Sequence, residues 1–256
     1  MHPLVDTHTH IYGKQFHSDL PEVIARARAE GVEKFYLPGI DSTVIEDMLA
    51  LEARYPGVCI PMMGLHPTSV DAGYQTELDL IQTWLSRRPF AAVGEIGLDF
   101  YWDRTFETQQ YEAFRAQIEL AFTHRLPIVI HTRNAMSETI RVVKEYTSRG
   151  LRGIFHCFGD TYESAVEIID AGFYLGIGGV LTYKNATLPS VLARIPLEHI
   201  VLETDAPYLT PVPFRGKRNE PSYLRYVVDH LATIYKVPAS TIASVTTANA
   251  QKIFAI

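Results

Sequence analysis

The feature that most constrains this chain is its rhythm. Short apolar runs alternate with longer amphipathic ones eight times over, at 4–7, 34–38, 59–64, 91–94, 128–131, 153–156, 174–177 and 200–203. Each short run reads as a strand. Helical patterns fall at 20–30, 42–55, 75–87, 105–124, 136–149, 162–171, 186–194 and 222–235, with a last one at 239–254 that carries a break. Gly31 is a stop signal for the first helix, and Ser42 is the expected N-cap of the second, which ends before Pro56 and Gly57. Alternation of this kind builds a parallel sheet flanked by helices, the α/β class. Eight such units in 256 residues, with no composition shift or linker, predict a single-domain TIM (β/α)8 barrel over 1–256. A doubly wound open sheet would carry a Gly-rich phosphate loop after an early strand, and neither GxGxxG nor GxxxxGK[ST] occurs. The longest loop, 206–221, is rich in Pro and charge, and long loops in compact domains tend to be functional.

Composition narrows the class further. No apolar run reaches the length of a membrane span, and the first residues lack a basic segment followed by an apolar stretch. Two cysteines, Cys59 and Cys157, make a disulfide framework improbable and point to a reducing, cytoplasmic setting. No membrane association and no obligate protein partner are expected. A net charge of −6 argues against broad attraction to nucleic acid. A bound cation and a few Arg side chains can still dominate a local field.

The polar residues cluster where barrel chemistry happens, at the C-terminal ends of the strands. In VDTHTH, His8 and His10 lie two residues apart and so share one side of a strand. They form either a pair of metal ligands or a surface turn pair. The third strand ends in GLHP with His66, and the fourth in GEIGLD with Glu95 and Asp99. IHTR supplies His131 and Arg133, FHCF supplies His156, and LETDAPY supplies Glu203 and Asp205. Singly, each has a structural reading as a hydrogen-bonded His, a helix cap or a paired carboxylate. Together they would bury several imidazoles and carboxylates on one face, which is costly without a cation.

Six donors exceed the three that one catalytic zinc needs. His8, His10, Glu95, His131, His156 and Asp205 suit two divalent cations sharing a bridging carboxylate, ~3.5–4 Å apart as in hydrolytic two-metal sites. Glu95 is the expected bridge, with His8, His10 and Asp205 on one ion and His131 and His156 on the other. The donor chemistry suits Zn, Mn, Ni or Fe, and Mg if waters complete its shell. Asp205 is the candidate general base. Glu203, two residues before it on the same side, would orient a His ligand. Asp6 would do the same for the first strand or serve an ordinary structural role. The loop PVPFRGKRNEP offers Arg215, Lys217 and Arg218, either as a phosphate clamp or as a solvated basic turn. His66 and Arg133 are further candidate phosphate contacts. Tyr101, Trp102 and Phe106 either stack on a base or pack their own loop.

The ordered set VDTHTH, GLHP, GEIGLD, PIVIHTR, HCF, ETDAPYL, PFRGKRNEP and NAQKIF resembles the TatD-type metal-dependent hydrolases and deoxyribonucleases of the amidohydrolase superfamily. The resemblance runs from about residue 5 to residue 254. It implies a TIM barrel, two divalent cations on the same six ligands, and hydrolysis of phosphodiester bonds in DNA, often from the 3′ end. Single-stranded DNA ends are the implied partner. Where many amidohydrolases carry a carbamylated Lys after the fourth strand, Glu95 stands here, which argues against phosphotriesterase-like or dihydroorotase-like chemistry. There are two departures. Gly159 and Asp160 follow HCF where the family often has Ser-Gly or Thr-Gly, and Phe100 precedes Tyr101 where Tyr is usual. Both bear on substrate preference. The competing functions are hydrolysis of an ester, amide or phosphate bond in a small molecule or aminoacyl-tRNA, and a non-catalytic scaffold with a structural metal. A structural zinc would be closed by four ligands, unlike this set.

Overall fold

In the computed structural model, which describes residues 3–254, all eight strands form in the expected order. They are β1 (Leu4–Asp6), β2 (Val32–Leu37), β3 (Cys59–Pro61), β4 (Val93–Asp99), β5 (Ile128–Arg133), β6 (Gly153–Phe155), β7 (Phe173–Ile177) and β8 (Ile200–Leu202). The helices are α1 (Leu20–Ala29), α2 (Ile45–Arg54), α3 (Tyr74–Arg87), α4 (Glu107–His124), α5 (Met136–Lys144), α6 (Tyr162–Asp170), α7 (Leu188–Leu192), α8 (Leu224–Tyr235) and α9 (Ala239–Phe254). Every strand pair is parallel, in the orders β1-β2-β3 and β4-β5-β6-β7-β8. Backbone hydrogen bonds join the two groups at both seams. Met63 bridges to Val93, and the Gly94 amide donates to the Met63 carbonyl at 3.0 Å. At the other seam, Thr7 donates to Leu202 and Asp205 to His8, each at 2.9 Å.

One apolar cluster draws on all eight strands or the residues adjoining them: Val5, Tyr36, Met62, Ala92, Val129, Ile154, Tyr174 and Val201. Such a set meets only inside a closed ring, so it is the barrel interior. Ala250, Ile253 and Phe254 of α9 join it, and the Phe254 ring stacks on Tyr36 with centroids 3.8 Å apart. The last helix therefore plugs the N-terminal end of the barrel. Asn249 pins it there by donating to the carbonyls of Leu197 and Ile200. Burying a ring of this size contributes about 1.5–3 kcal/mol. The outer cluster packs the remaining strand faces against the surrounding helices.

Several boundaries differ from the sequence reading. β4 continues through GEIGLD, because Gly97 and Asp99 pair with His131 and Arg133 of a longer β5. Glu95 therefore sits inside a strand, not beyond it. Asp41, not Ser42, caps the second helical segment, accepting from the Thr43 amide at 3.0 Å, and a 3₁₀ turn precedes α2. α9 runs without a break. α5 stops at Lys144, α7 is confined to Leu188–Leu192, and α8 begins only after the 3₁₀ turn Pro221–Tyr223. No helix among the described residues is long and apolar enough to cross a membrane. Both cysteines are free thiols.

Candidate metal centre

The mouth of the barrel is organised around one buried carboxylate. The β4–β5 register slips between Gly94 and Ile96, so Glu95 drops out of the ladder. Bulges of this sort re-aim a side chain. Its amide donates instead to Gly39 at 3.0 Å, and the side chain enters the mouth. Gly97 makes the close approach of β4 to β5 feasible. Its φ is +146°, and a Cβ there would lie 2.0 Å from the His131 carbonyl oxygen. Gly176 serves Glu203 in the same way, since a Cβ would collide with Glu203 Oε2 at 2.2 Å. Asn134, Cys157 and Asp205, just beyond β5, β6 and β8, have φ of 53°, 51° and 56°. Left-handed backbone at non-glycine residues tends to gather at functional sites.

The two oxygens of Glu95 face different imidazoles. Oε2 lies 3.0 Å from His8 Nε2 and 3.8 Å from His10 Nε2. Oε1 lies 2.9 Å from His131 Nδ1, 3.5 Å from His156 Nε2 and 3.4 Å from His66 Nε2. Asp205 Oδ1 approaches His10 Nε2 at 3.4 Å and His8 Nε2 at 3.9 Å. The His8 and His156 rings stack with centroids 3.6 Å apart. Four donor groups could each hold an ion: His8, His10 and Glu95; His66, Glu95 and His131; His8, His156 and Asp205; and His156, Cys157 and Glu203. The carboxylate of Glu95 belongs to two of them.

Outer partners fix the ring orientations. Tyr12 donates its hydroxyl proton to the Pro38 carbonyl at 2.7 Å, so its oxygen accepts from His10 Nδ1 at 2.9 Å. That tautomer leaves the lone pair of His10 Nε2 facing the carboxylates. His66 has the opposite tautomer. Its Nδ1 accepts from the Thr68 amide at 3.1 Å, so the ring proton sits on Nε2 and points at Glu95. His66 thus presents a donor to the site, whereas His10 presents an acceptor. Asp99 Oδ2 meets His131 Nε2 at 2.8 Å. Glu203 Oε1 accepts from the Cys157 amide at 2.6 Å and lies 3.0 Å from His156 Nδ1. Asp6 is a seam residue, accepting from both the amide and the hydroxyl of Thr204. Burial pushes its carboxyl up to about 8.

The protonation pattern follows from charge crowded into a dry place. Burial alone would raise the Glu95 carboxyl, but His8, His156 and His66 hold it well below the carboxylate range. His8 is depressed by burial and by the neighbouring His156. Burial opposes charging of His131 and His156 too, yet carboxylates outweigh it at both. Asp99 and Glu95 raise His131, while Glu203 and Glu95 push His156 up to about 10.

Sequence and fold comparisons agree on what this arrangement is. Residues 5–255 match the family described as TatD related DNase. The chain belongs to the TatD family. It is 42% identical to an uncharacterized metal-dependent hydrolase, YabD of Bacillus subtilis, over 99% of both chains. It is 32% identical to the 3′-5′ ssDNA/RNA exonuclease TatD of Edwardsiella piscicida, over 98% of this chain and 99% of the relative. The crystal structure of YjjV, a TatD homologue from Escherichia coli K12, superposes with a TM-score of 0.93 at 29% identity, over 99% and 98% of the two chains.

Around this TatD-type centre the expected substrate contacts divide. Arg218 is already engaged. Its guanidinium donates to both oxygens of Asp19 and to the Gln15 carbonyl, and stacks on Phe16. A clamp role would have to break that bidentate pair. Arg215 is exposed and lies over Tyr183 at 3.9 Å, Lys217 is exposed beside Phe214, and Arg133 is exposed over Tyr101 at 3.7 Å. Phe106 packs against the core, whereas Tyr101 and Trp102 stand in solvent. Asp160 accepts from the next amide, Thr161, ahead of α6. Sequence reasoning left Tyr12 and Tyr208 out of the site. Tyr12 carried a signal, since it continues the period-two phase of His8 and His10.

Proposed function

We propose that this chain is a metal-dependent hydrolase that uses two divalent cations to shorten single-stranded DNA from its 3′ end. The observation that carries the reading is the Glu95 carboxylate, with one oxygen turned to His8 and His10 and the other to His131 and His156. The donor set fits the cations. Both ring nitrogens of His8, His156 Nδ1 and Glu203 Oε2 are buried without an aligned hydrogen-bond partner, a costly state that ligation and its proton shifts would relieve. His8, His10 and Asp205 would hold one ion and His131 and His156 the other, with Glu95 shared. When bound, the pair supplies positive charge to a phosphodiester and lowers the pKa of a nearby water.

The remaining work belongs to side chains. Asp205 takes the proton of the attacking water, because its carboxylate is the one at the open edge of the set. Glu203, Asp99 and Tyr12 hold His156, His131 and His10 in register. His66 Nε2–H donates to a phosphate oxygen. Arg133, Arg215 and Lys217 meet flanking phosphates, and few such contacts imply a shallow salt dependence. The nucleic-acid substrate is supported by the exonuclease relative and by these exposed cations.

End-labelled single-stranded DNA is the test. Metal-stripped enzyme is given Zn, Mn, Ni, Fe or Mg in turn, with Asp205→Asn as control. A cation-dependent ladder receding from the 3′ end, absent in the variant, is expected. Turnover of a small ester or amide with no cleavage of any oligonucleotide would overturn the nuclease reading.

A further inference from the structure

The large apolar or aromatic side chains most open to water are Tyr101, Trp102, Tyr208 and Val212, at 50%, 68%, 55% and 39% exposure among the described residues. All four lie on the loops that follow β4 and β8. None lies on an outer helix or at the plugged end. Exposed aromatics gathered at one place mark a surface that binds something.

Their placement relative to the metal donors is specific. Tyr208 lies beside His10, with ring centroids 5.9 Å apart, on the Oε2 side of Glu95. Its backbone is fixed, because the amide donates to the Asp205 carbonyl and the carbonyl accepts from buried Asn219. Tyr101 and Trp102 lie on the Oε1 side. Asp99 Oδ1 accepts from both of their amides, at 2.9 and 3.2 Å, while its other oxygen holds His131. The two rings meet edge to face at 4.9 Å, and the Arg133 guanidinium lies over Tyr101 at 3.7 Å and Trp102 at 5.2 Å. One rim is therefore a cation-bearing aromatic platform, the other a single aromatic face, with the carboxylate and imidazoles between them.

We infer that Tyr101, Trp102 and Arg133 on one rim and Tyr208 on the other form a two-sided clamp for the unpaired bases flanking the bond at Glu95. The inference rests on the nuclease reading and narrows it. Aromatic faces and guanidinium planes take any base, so the clamp reads strandedness and not sequence. Paired bases are hidden in their stack and cannot enter. Asp99 also ties the platform to the site, since one carboxylate positions both the base platform and the His131 ring.

The protein has two tryptophans, so Trp84→Phe makes Trp102 the sole tryptophan, read by selective tryptophan excitation. The cation-loaded variant is titrated with a short thymidine oligomer whose linkages are phosphorothioates. Parallel titrations use the same oligomer lacking its two terminal bases, a blunt duplex, and inorganic phosphate. Saturable quenching by the intact oligomer is expected, with about tenfold weaker binding for each base removed and no quenching by phosphate. Tyr208→Ala should erase the penalty at one position, and Tyr208→Phe should keep it. A change under twofold on base removal, or equal binding of the blunt duplex, would overturn the clamp even if DNA is cleaved. Base-dependent binding without cleavage by any cation would overturn the nuclease reading and leave the clamp standing.

Discussion

At the plugged end of the barrel, Phe254 lies flat on Tyr36 within an apolar cluster. At the mouth, the same strands converge imidazoles and carboxylates, several with no aligned partner, beside the left-handed backbone of Asn134, Cys157 and Asp205. One end is packed for stability and the other is held in a state that burial disfavours. The pairing of the two explains how a chain can keep such a site. The apolar end and the helical shell offset what the mouth costs.

Substitutions at each end break or sharpen that contrast. The largest effect is expected at Glu95→Gln, which removes the charge both imidazole sets share. Cation content by elemental analysis should collapse and hydrolysis fall by about a thousandfold or more, since cation stabilisation is worth several kcal/mol. Circular dichroism should still report a folded barrel. Next is Phe254→Ala at the other end. Urea unfolding should show a loss of about 3 kcal/mol, with cation content and turnover per folded molecule unchanged. If this variant also sheds cations, the two ends are not independent.

The smallest effect is a pH slope. His156, raised to about 10, carries a proton in the metal-stripped protein at neutral pH. A cation must displace it, so affinity should climb about tenfold per pH unit for the proton released. Calorimetry in buffers of different ionisation enthalpy measures this directly, and a flat profile would exclude proton-linked loading. The same raised value acts on stability with a definite sign. His156 stabilises the metal-stripped fold fully below its ordinary 6.5, and that contribution disappears as pH rises through about 10.

The barrel was legible because each strand is a short apolar run and each helix an amphipathic one. On apolar pattern alone the fourth strand ends too early, at Gly94, since the polar residues of GEIGLD break the apolar run and their pairing is known only from the neighbouring strand. The spacing of His8 and His10 left a metal pair and a surface turn equally open, and only the His, Glu and Asp residues at the other strand ends favoured the metal reading. What the sequence hid were partners chosen by long-range approach. Arg218 meets Asp19 across 199 residues, and nothing local separates it from Arg215, which stays exposed. The tautomers of His10 and His66 depend on Pro38 and on the Thr68 amide, contacts that periodicity cannot reveal.

The seam between β1 and β8 has a consequence for how the chain is made. Asp6 waits for Thr204, 198 residues later, and His8 and His10 wait equally for Asp205. Contacts of such sequence separation form late, because the loop must close before it is rewarded. A polypeptide emerging from the ribosome therefore carries two of the six proposed ligands, His8 and His10, from the outset, without the carboxylate that completes their set. On the proposed mechanism, nascent and prematurely terminated chains lacking β8 are catalytically silent. The proposed active unit is either whole or absent.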